Sequence, residues 1–188
     1  MARHLLAIGY ALTVYNRMAS KADGLISCGA TLMESPCTAA AVVDVIFLMV
    51  GFSSDVRSTS LDPSTGALAS LGLGVILVDM TTSDPTLTSE IAAETAATDT
   101  DTVDASIFDD DCRDRNATIS IFAGNHAAVV THLVPLLQSM DNTLYMGEPG
   151  VGQCAKLGNQ IVIASTTVGL VEGMVYAHMA GIDIAKWL

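Results

Sequence analysis

The sequence predicts an α/β fold, in which a mostly parallel sheet is covered by helices. Short apolar, β-rich runs alternate with helical stretches through the first 146 residues. Apolar residues make up 51% of the 188-residue chain and charged residues 15%, which suits a buried sheet. Two of the runs, 44–49 and 75–78, are almost continuously apolar, as in parallel strands that are buried on both faces. Alternating strands and helices predict right-handed crossovers between parallel neighbours.

The predicted elements follow from these runs and from local helix signals. Strands are expected at 11–15, 44–49, 75–78, 102–107, 118–122 and 143–146. Ser83-Asp84-Pro85 combines a capping residue with a proline at the first turn, which predicts a helix that continues to Ala97. A second helix is expected over 125–140.

The segment 153–180 has no convincing strand and almost no helix breaker, so it predicts one long helix that leaves the sheet. We therefore expect a sheet domain over residues 1–146 and the start of an all-helical domain over 147–188. A helix with this much apolar surface is not stable alone. It needs further chain or another subunit, so a homo-oligomer is one expectation.

Charge and hydropathy exclude two classes of partner. The chain carries 8 Lys and Arg against 20 Asp and Glu, a net charge of -12. Nucleic acids and anionic membrane surfaces both reward clustered cations, so neither partner is expected. The apolar stretch 39–52, interrupted by Asp44, is taken as the longest in the chain. It is shorter than the roughly 20 residues that cross a bilayer.

The cysteines point to a reducing compartment. Cys28, Cys37, Cys112 and Cys154 form no C-x-x-C pair, and the chain is not a small secreted scaffold. We interpret them as reduced thiols and expect a cytoplasmic protein. An organelle is the alternative, if a targeting segment lies upstream of Met1.

Three stretches carry residues that a dinucleotide site needs. Asn16-Arg17 follows the first predicted strand, where a dinucleotide fold meets the adenosine ribose, and Lys21 lies close by. Met49-Val50-Gly51 and Thr82-Ser83 follow strands at the carboxyl edge of the sheet, where ligands of such folds bind. An arginine near the ribose can pair with a 2′-phosphate. A solvated turn is the alternative for Asn16-Arg17, and the other two stretches are weak signals when taken alone.

Taken together, these motifs resemble the β-hydroxyacid dehydrogenase family, which includes 3-hydroxyisobutyrate dehydrogenase. They are GYALTVYNR at 9–17, MVG at 49–51 with VDMTTS at 78–83, and GVGQCAKLGNQ at 150–160. The third contains G-x-G-Q-x-A-K-x-x-N, which is close to a family signature. The resemblance implies a Rossmann-like domain, NADP as cofactor with NAD as the alternative, no metal, and a small carboxylate-bearing substrate.

The resemblance also implies the catalytic residues. The lysine that matches Lys156 is the family's general acid/base at the substrate hydroxyl, and the asparagine that matches Asn159 helps to hold lysine and substrate. The two positions are three apart, so on a helix they share one face. A buried lysine can have its pKa lowered towards the working pH. A surface lysine on an amphipathic helix is the alternative.

The sequence departs from the family at three places. The G-x-G-x-x-G turn is missing, and Met1–Leu6 matches the helix after that turn, so the first strand is expected to be absent. Phe108-Asp109-Asp110 stands where the family has Ser-Gly-Gly against the substrate carboxylate. The chain ends at Leu188, before most of the helical domain. An inactive or truncated family member is therefore the alternative function.

A third hypothesis comes from an acidic pattern. Residues 110–114 spell D-D-x-x-D, which is typical of magnesium-diphosphate sites in prenyl-transfer enzymes. Paired carboxylates one helical turn apart can share a hard cation. Those enzymes are all-helical, whereas this segment lies between two predicted strands, so a solvated acidic loop is favoured.

Overall fold

The computed structural model describes residues 1–96, 98, 100–108 and 119–188. Its strands are β1 (Thr13–Val14), β2 (Thr31–Leu32), β3 (Val45–Leu48), β4 (Ile76–Asp79), β5 (Asp101–Phe108), β6 (Ile119–Gly124) and β7 (Asp141–Gly147). Its helices are α1 (Ala2–Ala7), α2 (Asp23–Ile26), α3 (Pro36–Ala40), α4 (Ser53–Leu61), α5 (Pro85–Thr95), α6 (Ala127–Gln138), α7 (Val151–Met179) and α8 (Ile184–Trp187). Two 3-10 helices cover Ala19–Ala22 and Ala67–Ser70.

The strands form two sheets in the described residues. β1 and β2 pair in parallel, and β3 to β7 form a second sheet in chain order. Within the larger sheet, β5 and β6 are antiparallel and the other neighbours are parallel. The α/β prediction is confirmed, but the expectation of parallel crossovers fails at β5 and β6. Only residues 109–118 separate these strands, fewer than the dozen or more that a parallel crossover requires.

The core lies on both faces of the larger sheet. All four residues of β4 are buried. Val78 and Leu133 of α6 belong to one hydrophobic cluster, whereas Leu77 belongs to a second cluster with Val56 of α4 and Ile91 of α5. Successive strand residues point to opposite faces. This arrangement explains why the run 75–78 is continuously apolar.

Most predicted elements are present with shifted ends. Asp84 caps α5 by accepting a hydrogen bond from Thr86 N at 2.9 Å, and Pro85 occupies the first turn as expected. The helix ends at Thr95, before the predicted Ala97. The first strand is shorter than the predicted 11–15, and β2 and α4 were not predicted.

The long helix α7 has two different environments. Its first turns are buried against the sheet, where Gly152, Gln153 and Lys156 are covered. Further along, large apolar side chains are exposed, including Val162 at 64% and Tyr176 at 75%. The boundary at residue 147 stays a prediction, because the helix that follows it packs on the sheet.

Helix α7 is a stronger candidate for a membrane span than the stretch 39–52, contrary to the expectation from the sequence. Its best 18-residue window has a mean hydropathy of 1.3, with 6% of that window buried, so by length and composition it could cross a membrane. The stretch 39–52 is therefore not the segment that decides the question. The core helix of a soluble protein can meet the same criterion of length and composition. The expected lack of a membrane partner stays a prediction.

Candidate functional site

A buried carboxylate joins the sheet to the start of α7. The side chain of Asp104, in the middle of β5, is fully buried. Its Oδ1 accepts a hydrogen bond from Gly150 N and its Oδ2 one from Gln153 N, both at 2.8 Å. These are N–H groups at the first turn of α7, which have no partners within the helix. Asp104 thus caps the helix from a neighbouring strand.

Two glycines make this capping contact sterically feasible. A Cβ on Gly124 would lie 2.6 Å from Asp104 Oδ1, and one on Gly152 would lie 2.7 Å from Asp104 Oδ2. Burial raises the pKa of Asp104, and the backbone hydrogen bonds from α7 oppose that rise. The helix therefore approaches the sheet more closely than any side chain at these positions would allow.

The amide of Gln153 connects α7 to the loop after β4. It is fully buried. Its Oε1 accepts from Ser106 Oγ at 2.6 Å and from Ser83 N at 3.0 Å. Its Nε2 donates to Thr81 O at 2.7 Å and to Ser83 Oγ at 3.0 Å. One side chain thus fixes the start of α7, the β4 loop and β5 relative to one another.

Asp79 extends this network towards β3. It accepts hydrogen bonds from Thr81 N at 2.9 Å and from Ser83 Oγ at 2.8 Å. Burial raises the pKa of Asp79, the hydrogen bonds oppose the rise, and the charge of Asp104 adds to it. Val50 N donates to Thr81 Oγ1 at 3.0 Å. The loops that follow β3 and β4 are therefore tied together at the carboxyl edge of the sheet.

Lys156 lies one helical turn beyond Gln153 and is 8% exposed. Its Nζ is 5.2 Å from the centre of the Phe108 ring, within the range of a cation–π contact. On the same helix, the buried Nδ2 of Asn159 has no hydrogen-bond partner in the described part of the chain. Buried donors are almost always satisfied, so this amide is available to an acceptor atom of a ligand.

The predicted adenosine end lies at the loop after β1. Arg17 is 75% exposed, and its Nη1 is 3.0 Å from Asp55 Oδ1 in the first turn of α4. Asn16 Oδ1 accepts a hydrogen bond from Met18 N at 2.9 Å, so this side chain shapes the loop. Lys21 is exposed on the first 3-10 helix.

The structure distributes the predicted residues over two regions. Lys156 and Asn159 lie on α7, and Arg17 lies by α4. Met49 is 56% exposed, and Gly51 and Thr82 are exposed as well. The hydroxyl of Ser83 is committed to the buried network.

Sequence reasoning missed the residues that hold these loops in place. They are Asp55, Asp79, Asp104, Ser106 and Gln153. Asp79 ends an apolar strand, and Gln153 belongs to the quoted signature, so a signal existed for both. The contacts of the other three depend on the tertiary structure. Asp109, Asp110 and the D-D-x-x-D pattern lie outside the described residues. Among the described residues, no group of three or more His, Cys, Asp or Glu could hold a metal.

Comparisons with known proteins agree with this architecture. The model of the NAD binding domain of 6-phosphogluconate dehydrogenase matches residues 1–147. A probable 3-hydroxyisobutyrate dehydrogenase-like protein of Arabidopsis thaliana is 48% identical over the whole chain, which spans 56% of that protein. A 2-hydroxy-3-oxopropionate reductase of Escherichia coli is 30% identical over 97% of the chain and 62% of its own length.

A solved structure shows the same fold. The 3-hydroxyisobutyrate dehydrogenase of Mycobacterium tuberculosis superposes with a TM-score of 0.89 at 23% identity, over 97% of this chain and 62% of that one. The chain thus spans less than two thirds of the relatives that it matches. Because the family model covers well over half of its residues, the chain belongs to the family defined by the NAD-binding domain of 6-phosphogluconate dehydrogenase, and its similar relatives are 3-hydroxyisobutyrate dehydrogenase-like.

Proposed function

We propose that this chain contributes the cofactor-binding part and the catalytic lysine of an NADP-dependent oxidoreductase. The substrate class is a small 3-hydroxy acid or its aldehyde or keto form, and NAD is the alternative cofactor. The observation that carries the proposal is that the buried Lys156 and the unpartnered amide Nδ2 of Asn159 lie one turn apart on α7, on the same face of the helix. The buried network holds these turns against the loops that follow β3 and β4.

The cofactor, when bound, accepts or supplies the hydride. In the oxidising direction Lys156, as the neutral amine, would take the hydroxyl proton of the substrate at Nζ. The Asn159 amide donates to a substrate oxygen. Lys156 is almost fully covered by protein, so bulk water does not compete for that proton. Positioned general acid/base groups of this kind contribute about 10²–10⁴-fold to rate.

The proposal assigns the remaining predicted residues to the cofactor. Arg17 and Lys21 supply positive charge for a 2′-phosphate, and Asn16 shapes the loop that presents them. Met49, Val50, Gly51, Thr82 and Ser83 form the edge along which the cofactor lies. Their hydrogen-bonded loops support this assignment, since a rigid edge loses little entropy on binding.

The exposed apolar residues of α7 support a homo-oligomer as part of the proposal. Val162, Val168 and Val171 are each at least half exposed along the helix. Contiguous apolar surface of this kind marks an interaction site. As compartment we propose the cytoplasm. An organelle is the alternative, which the name of the Arabidopsis relative supports because it includes the word mitochondrial.

The test compares Lys156→Met with Lys186→Met in a chimera that supplies the rest of the Arabidopsis relative, of which this chain spans 56%. Lys186 is exposed near the C-terminus and provides the matched control. NADPH binding is measured by fluorescence titration, and turnover with glyoxylate, succinic semialdehyde and 3-hydroxyisobutyrate by absorbance. We expect Lys156→Met to lose turnover by about 10²–10⁴-fold with little change in NADPH binding.

One observation favours a second candidate, a family member that binds the cofactor without catalysis. The Phe108 ring lies over Lys156, and an aromatic ring donates no hydrogen bond to a substrate carboxylate. NADPH binding by the chimera with Lys156 intact, without turnover on any of the three substrates, would establish this candidate and contradict the catalytic proposal.

A further inference from the structure

A fixed acid lies beside the arginine that is assigned to the cofactor ribose. Asp55 Oδ1 is 3.0 Å from Arg17 Nη1, and the Asp55 side chain is only 17% exposed, against 75% for Arg17. A Cβ on Gly51 would lie 3.5 Å from Asp55 Oδ2, so the other carboxylate oxygen faces the loop after β3. The carboxylate thus stands between the two loops that form the adenosine end.

We infer that Asp55 sets the choice between a phosphorylated and an unphosphorylated ribose, an inference that rests on the proposed cofactor site. The Asp55 carboxylate competes with a 2′-phosphate for the Arg17 guanidinium. The carboxylate also repels the phosphate, because two negative charges would lie close together at one guanidinium. A ribose that keeps its 2′-hydroxyl has no such conflict, and the carboxylate offers that hydroxyl a charged acceptor.

The position of Asp55 makes it an effective competitor. It belongs to the first turn of α4, where a negative charge is favoured by the helix dipole. Its limited exposure keeps it in place, whereas the exposed Arg17 is free to exchange partners. Arg17 alone would therefore favour NADP, and the pair moderates that preference so that NAD also binds.

The experiment uses adenosine fragments, which do not reach the nicotinamide end. Binding of 2′,5′-ADP and 5′-AMP to the 188-residue chain is measured by calorimetry at low salt, and the ratio of the two affinities is the readout. Exposed ion pairs have modest free energies. We therefore expect Asp55→Asn to raise the ratio in favour of 2′,5′-ADP roughly two- to fivefold.

Glu90→Gln is the matched control. It breaks another arginine–carboxylate pair of α4, with Arg57, and makes the same change in net charge away from the ribose loops. Its ratio should equal that of the unmodified chain. Asp55→Asn should raise the ratio less in an Arg17→Gln background than in the unmodified chain, because the arginine for which the carboxylate competes is then absent.

Three outcomes would overturn the inference. They are an unchanged or lowered affinity ratio in Asp55→Asn, an equal gain in Glu90→Gln, and no fragment binding to any variant. The outcome is independent of catalysis by Lys156. If Lys156→Met kept its turnover while Asp55→Asn raised the affinity ratio, the catalytic proposal would fail and the selectivity role of Asp55 would stand. If Lys156→Met lost turnover while Asp55→Asn left the ratio unchanged, only the selectivity role would be refuted.

Discussion

Replacing Gln153 by methionine should destabilise the protein by removing the buried link between α7 and the β4 loop. Methionine has a similar length but neither donates nor accepts strong hydrogen bonds. Ser83 Oγ keeps its hydrogen bond to Asp79, and Ser106 Oγ keeps its hydrogen bond to Thr81 O at 3.3 Å. Ser83 N loses its one hydrogen-bond partner in the described part of the chain, and Thr81 O loses its amide donor. A buried polar group left without its partner costs about 1–3 kcal/mol. Thr81 O still accepts from Ser106 Oγ, so we expect a loss of about 1–3 kcal/mol.

The assay is urea unfolding at neutral pH, followed by circular dichroism. Gln160→Met is the control, because it makes the same substitution at an exposed position of the same helix. Hydrogen exchange should in addition show faster exchange in the first turn of α7 for Gln153→Met only. A loss below about 1 kcal/mol, or one equal to that of Gln160→Met, would refute the view that this amide holds the site together.

Four further substitutions test the capping contact and the exposed helix. The pKa of Asp104 in the folded protein is raised above its ordinary value of 3.8. The protonated side chain therefore contributes stability that is complete below pH 3.8 and is lost as the pH rises through the raised pKa. Asp104→Asn should remove this dependence, so that the free energy of unfolding in urea falls less steeply towards neutral pH. A fall of unchanged slope would contradict this. Gly124→Ala should destabilise the protein by more than about 1 kcal/mol, because its Cβ would lie 2.6 Å from Asp104 Oδ1. Gly158→Ala has open space around it and should stabilise α7 by about 0.5–1 kcal/mol. Thermal melts compare the two variants, and equal effects would count against tight packing at Gly124. Val162→Asp should reduce self-association, measured by sedimentation, because it charges the exposed apolar face of α7; an unchanged oligomer would place the interface elsewhere.

Local chemistry was sufficient to predict much of this protein from its sequence. The continuous apolar run before Asp79 predicted a strand that is buried on both faces. Successive residues of a strand point to opposite faces, so only a strand covered on both sides is apolar at every position. Asp84 and Pro85 predicted the start of α5, since capping depends on neighbours within one turn. The spacing of Lys156 and Asn159 placed both on one helical face, as a period of 3.6 residues requires.

Only the tertiary structure decided how these pieces are held together. Asp104 lies 46 residues before Gly150 and caps a helix that starts far along the chain. Nothing in the sequence near Asp104 indicates that contact. Gln153 meets Ser83 across 70 residues, and Arg17 meets Asp55 across the space between β1 and α4. Contacts between distant segments depend on strand order and on how closely backbones approach. The sequence therefore determined which residues carry chemistry, whereas packing decided which of them are buried, paired or available to a ligand.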